Sequence, residues 1–168
     1  KSRSGSPIHR HTRTAAPRMS SGDPVARAAV TTHIERHLGP IAWTFEDPST
    51  AWARIDVHVV AENENVPGLA LVTSGMSEQL PGEPRRQPTE LVMCVRPGWP
   101  GMAGEPCDEE DLWPVRLLRD LARLPHQFDT HLGMGHTVPN GDPPMSYASD
   151  TRLCCALLCP ALLPPDAF

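Results

Sequence analysis

WPVRLLRDLARLPHQFDTHLGMGHTVPNGDPP, residues 113–144, is the stretch on which the reading of this chain turns. Its first half has the spacing of an amphipathic helix. Trp113, Leu117, Leu121 and Leu124 recur on one side with Leu118 beside them. Arg116, Arg119 and Arg123 fall elsewhere, at the spacing of a solvated face. Asp108, Glu109, Glu110 and Asp111 crowd the expected first turn, where the positive end of the helix dipole favours acids. The spacing predicts a helix over 108–124, with Pro114 tolerated near its start and Pro125 ending it. The second half is dense in Gly, Pro, His and Asn. Gly133 and Gly135 permit backbone geometries that other residues resist. Asn140-Gly141 favours a turn with positive φ, and Pro139, Pro143 and Pro144 stiffen the path. A long loop this closely specified is ordered for a reason. It is either a recognition edge or a strap laid over a sheet.

Upstream, Asp23 is a good N-cap with Pro24 at the first helical position. Ala26, Val30, Ile34 and Leu38 then recur every four residues until Gly39 and Pro40 stop the helix. Residues 41–46 are a short strand candidate. In 52–60, Ile55, Val57 and Val59 alternate with Arg54, Asp56 and His58, a stronger one. Strands are also expected at 69–73 and 89–95, joined by loops too short for helices, which points to an antiparallel meander. Residues 153–158 are apolar throughout and read as a last strand buried on both faces. The expected class is α+β: a mixed, largely antiparallel sheet with two main helices packed on it.

The 168 residues suit one domain, 23–168, preceded by a tail, 1–22. The tail holds Lys1, Arg3, Arg10, Arg13 and Arg18 and no acid. The other 146 residues therefore carry 10 of the 15 basic groups against all 20 acids. Such a field repels nucleic acid and attracts basic partners, though it also serves solubility alone. No apolar run approaches the roughly 18 residues of a membrane span. Five cysteines without an apolar leader suggest reduced thiols in a cytoplasm.

Chemistry is hard to assemble from the rest. His126, Asp129, His131 and His136 lie close in sequence, but their spacing matches no common zinc pattern. Cys154 and Cys155, adjacent on a strand, face opposite ways. Ser74-Gly75-Met76-Ser77 lacks the form of a nucleophile elbow. No lysine-bearing phosphate loop occurs. The residues thus nominate no catalytic group, no metal ligand and no cofactor. A metal-dependent enzyme built on His126, His131 and His136 is the alternative.

Several stretches together resemble the suppressor of fused family, in its bacterial single-domain form. They are RIDVHVV (54–60), LVTSGMSE (71–78), ELVMCVRPGWP (90–100), WPVRLLRDLARLPH (113–126), GHTVPNGDPP (135–144) and LCCALLCP (153–160). The resemblance implies an α+β fold without catalytic residues and a role in protein sequestration. Animal relatives restrain zinc-finger transcription factors, and bacterial relatives are proposed to be immunity proteins that neutralise toxins. For this chain it implies a protein partner, such as a basic toxin domain, and no nucleic acid or membrane. Candidate contact residues are Gly75, Met76 and Ser77 in one turn. The loop adds His136, Thr137, Pro139, Asn140, Gly141 and Asp142. Family members continue past the strand matching 153–158, so a chain ending at Phe168 is expected to be an incomplete copy of the domain.

Overall fold

The structure, a computed structural model, describes residues 23–49, 53–78, 89–128 and 130–161. The expected basic tail lies outside them. Helix α1 (Pro24–His37) leads into strands β1 (Ile41–Phe45), β2 (Asp56–Val60), β3 (Leu69–Ser74) and β4 (Val92–Val95). A 3-10 turn (Glu109–Leu112) opens helix α2 (Trp113–Phe128), and β5 (Thr137–Pro139) and β6 (Cys155–Leu157) follow. The first four strands form one antiparallel sheet in the order β1-β2-β3-β4, the expected meander. β5 and β6 pair with each other in a separate two-stranded sheet. No helix among the described residues is long and apolar enough to cross a membrane.

Local chemistry sets the first helix. The Asp23 carboxylate accepts the Val25 N–H at 2.9 Å, and Pro24 occupies the first turn. The four-residue stripe ends in Ile34 and Leu38, both buried against Val60, Val66, Ala70 and Val72. On the opposite face of the sheet Val57, Val59 and Leu71 pack against Val115 and Leu118 of α2. The two helices therefore cover the two faces of β2 and β3. Ile55, Val57 and Val59 alternate with the polar Arg54, Asp56 and His58 along β2 and its approach, yet neither face of β2 is left to solvent. All five residues of β2 are buried, because α1 covers the face that carries Asp56 and His58.

Three buried carboxylates, Asp56, Glu78 and Asp47, are paired with arginines from the two helices. Arg27 of α1 reaches Asp56 at 2.5 Å and Glu78 at 2.7 Å. Asp47, just beyond β1, accepts the Ile55 N–H at 2.9 Å and the Arg123 guanidinium of α2 at 2.6 Å. Asp47 in turn donates its own N–H to Asp56 at 2.8 Å. Arg119 donates to the carbonyls of Phe45 and Glu46 at 2.8 and 2.9 Å. The expected solvated arginine face holds for Arg116 alone. Arg119 and Arg123 are half-buried, because the carboxylate and carbonyl groups at the end of β1 need their donors.

Three boundaries differ from expectation. The acidic stretch forms a 3-10 turn, and α2 proper starts at Trp113. Pro125 does not end α2, which runs one turn further to Phe128. A proline there removes one hydrogen bond near the end, and its ring is buried in the core. Residues 153–158 are not buried on both faces. β6 is only three residues long and has one partner, and Leu153 and Leu157 are 56% and 67% exposed.

Asp47→Ala removes an acceptor from a buried ion pair and strands Arg123. We expect a loss of about 3 kcal/mol in urea unfolding, the range for breaking a buried pair. A loss within about 0.5 kcal/mol, as for an ordinary surface change, would contradict this packing.

Candidate functional site

The two groups of candidate residues occupy different settings. Gly75, Met76 and Ser77 form a turn whose N–H groups converge on one carboxylate. Glu90 accepts from the N–H groups of Gly75 and Ser77 at 3.0 Å and from that of Met76 at 3.3 Å. The Ser77 and Thr73 hydroxyls add bonds at 2.6 and 2.7 Å. The turn requires glycine at 75: φ is 125°, and a Cβ there would sit 2.2 Å from the Arg54 carbonyl oxygen. Gly75 and Met76 are buried, and only Ser77 of the three reaches solvent. Met76 packs in a cluster with Ile55, Ala122 and Leu132. The turn thus braces the segment that leads into the loop.

The loop residues lie at the surface. β5 carries Thr137 and Pro139 outward, and Gly141 (φ 93°) turns the chain at the end of the β5-β6 hairpin. Asn140 is the organising residue. Its N–H donates to Cys154 O at 2.7 Å, and its side-chain amide donates to Met145 O at 2.8 Å and Ser146 O at 3.3 Å. Met145 N–H returns to Asn140 O at 2.8 Å, and Tyr147 N–H reaches Leu153 O at 3.0 Å. The loop is fastened to α2 as well. The Tyr147 ring stacks on Trp113 with centroids 5.3 Å apart. Ser149 donates from its hydroxyl and N–H to Glu110 of the 3-10 turn, which holds the Glu110 carboxyl below the usual carboxylate range. This bond sets the exposed acids Asp108, Glu109 and Glu110 beside a loop that itself exposes Asp142 and Asp150.

The histidines do not gather. His131 and His136 are neighbours, with ring centroids 5.1 Å apart. Burial holds the His126 imidazole below its ordinary value, against the opposing pull of a backbone bond at Met76. Asp129 lies outside the described residues. Among the described residues no group of three or more His, Cys, Asp and Glu side chains is placed to hold a metal ion. Cys154 and Cys155 approach to 3.8 Å between sulfurs, so their adjacency on the chain does not keep them apart.

The profile of the suppressor of fused protein (SUFU) family matches residues 51–168, well over half of the chain. The chain belongs to the suppressor of fused family. No curated protein and no solved structure matches it. The matched segment starts just before β2 and takes in both the Glu90-bound turn and the loop, whereas α1 lies before it. Members of this family are protein-binding domains.

Sequence reasoning missed Glu90, Tyr147 and the Ser149–Glu110 bond. Glu90 lies 13 residues beyond Ser77, across a proline-rich connector, so no local spacing marks it. Tyr147 is the one tyrosine of the chain, a weak signal by itself.

Burial also depresses the pKa of His58, whose ring sits beneath α1 and bonds Thr44 Oγ1 at 2.9 Å. The folded chain therefore refuses protons that the unfolded chain binds. Stability from His58 and His126 is full above the free histidine value of about 6.5 and falls as pH drops below it. Urea midpoints should be level above about pH 6.5 and decline toward pH 5, less steeply in His58→Gln. A level profile through that range would show that neither ring is buried as described.

Proposed function

We propose that this domain sequesters a partner protein through the exposed hairpin loop, residues 136–142, without catalysing a reaction. The observation that carries this is the loop's construction. It is exposed, yet it is fastened by Asn140, Tyr147 and Ser149 to Cys154 just before β6, to α2 and to the acidic turn. A loop already held in one shape loses little conformational freedom on binding, which favours affinity. Thr137, Pro139, Gly141 and Asp142 supply the contact surface with His136 and Asn140 between them. Gly75, Met76 and Ser77 serve the same surface from behind, through Met76 and Leu132.

The partner's charge follows from the surroundings. Around the loop the exposed acids Asp108, Glu109, Glu110, Asp142 and Asp150 outnumber the exposed Arg116 and Arg152, which favours a partner that is basic there. Neutralisation of a basic toxin domain in the cytoplasm fits this surface, as does the family's protein-binding character.

The test measures association of the purified chain with toxin-domain proteins encoded beside its gene. We expect one of them to bind, with an on-rate that falls as salt rises. Glu109→Gln with Asp142→Asn should slow association about tenfold and flatten the salt dependence. Asn140→Ala, which loosens the loop, should mainly speed dissociation. Binding that ignores all three changes would contradict the assignment of the loop. Binding to none of these proteins would contradict the toxin reading.

A further inference from the structure

Two thiols meet where the hairpin loop is anchored. Cys155 is the first residue of β6, and Cys154 directly precedes it. On a regular extended strand neighbouring side chains point to opposite faces. Here the two sulfurs lie 3.8 Å apart, so the backbone leaves that geometry at this step and turns both to one side. Both are free thiols. Cys155 is exposed and Cys154 half-buried. They lie beside Tyr147, whose hydroxyl is held above its ordinary value by burial first and then by the Cys155 and Cys154 thiols. Among the described residues no third His, Cys, Asp or Glu completes a metal-holding group with them. Two convergent thiols without a third ligand form a dithiol, whose characteristic chemistry is two-electron oxidation to a disulfide.

We propose that Cys154 and Cys155 form a reversible oxidation site, which a low-molecular-weight disulfide closes to a bond between the two neighbours, and that closure unfastens the hairpin loop. The inference rests on the protein-binding reading above only where it makes this a control of binding. One thiolate attacks the oxidant RSSR, forms a mixed disulfide and expels RS⁻. The second thiolate attacks the protein sulfur of that mixed disulfide, forms the Cys154–Cys155 bond and expels the other RS⁻. The two thiols give up two electrons and two protons, and RSSR becomes two RSH. Because the thiols are neighbours, the second step needs no chain closure and outruns attack by a cysteine elsewhere. Loss of hydration and then the Cys154 sulfur hold the Cys155 thiol above its ordinary value. Little thiolate is therefore present at neutral pH, and closure requires oxidant in excess.

The effect on the loop follows from the peptide bond caught inside the new ring. A disulfide usually joins Cα atoms about 4.4–6.8 Å apart, whereas neighbours across a trans peptide are fixed at about 3.8 Å. The Cys154–Cys155 peptide is trans, so the mismatch falls on its orientation. Its carbonyl, Cys154 O, accepts the Asn140 N–H at 2.7 Å. Turning that carbonyl breaks the bond and frees the residue whose side-chain amide holds Met145 O and Ser146 O. A disulfide closed against this mismatch is readily reduced, so the loop is refastened when reductant returns.

For the test, the reduced full chain is incubated with oxidised glutathione, remaining thiols are alkylated, and masses are read before and after digestion. We expect loss of two hydrogens with no glutathione attached, and fragment spectra that join Cys154 to Cys155. Cys159→Ser should close equally and Cys155→Ser should not close, each with the far-UV circular dichroism of the parent. In the closed form the Asn140 amide should exchange at least about tenfold faster, with the Val57 and Val59 amides unchanged, and dithiothreitol should restore it. No reaction, a stable glutathione adduct at either cysteine, or pairing with Cys159 overturns the site. Closure that leaves the Asn140 amide protected overturns its control of the loop. Partner association by the reduced chain tests the protein-binding reading separately. If no partner binds while oxidation still joins the pair and exposes Asn140, that reading falls and the oxidation site stands.

Discussion

Two largely buried carboxylates tie this fold together. Asp56 sits on β2 under α1, and Asp47 sits at the end of β1 under α2. Each is costly to bury unless it is paired and hydrogen-bonded. Arg27 from one helix and Arg123 from the other meet that need, and the Asp47 N–H links the two acids. Burial alone would raise the Asp47 carboxyl. The backbone N–H groups of Ile55 and Ser49, together with Arg123, more than reverse this and hold it below the usual range. The helices are therefore fixed on opposite faces of the sheet by charge as well as by leucine and valine. Arg27 carries the linkage onward to Glu78, at the end of the Glu90-bound turn.

From that frame the surface follows. α2 is held by its inner face and offers its flank, with Trp113, Leu117 and Leu121, to the hairpin. Tyr147 stacks on Trp113, and Ser149 bonds the acidic turn that precedes the helix. The hairpin is thereby held beside the meander without pairing with it, which leaves a groove between them. The exposed loop at the tip of the hairpin, and the edges of β4 and β6 that carry no further strand among the described residues, both depend on this stance.

Much of the architecture was legible in the sequence. Asp23-Pro24 marked the start of α1, the four-residue stripe gave its buried face, and short turns gave the meander. The Asn140-Gly141 turn was readable because glycine is needed there locally. What escaped was set by partners distant in the chain. Whether Asp56 and His58 face water depends on where α1 lies, and alternation along β2 is silent on that. Arg119 and Arg123 have the spacing of a solvated face, and only the position of the β1 end turns them inward. The short, exposed β6 was misjudged because an apolar run does not reveal how many strands flank it. The internal role of the Gly75–Ser77 turn was hidden for the same reason, since its anion comes from Glu90 beyond a long connector.

The central claim is that the hairpin loop is held in one shape before any partner arrives. Amide hydrogen exchange on the free full chain tests it most directly, because local opening sets the exchange rate of each N–H. The bonded amides of Asn140, Met145 and Tyr147 should exchange slowly, in the manner of β2 amides such as Val57 and Val59. Exchange of these three at the rate of an unstructured chain, with β2 still protected, would contradict it.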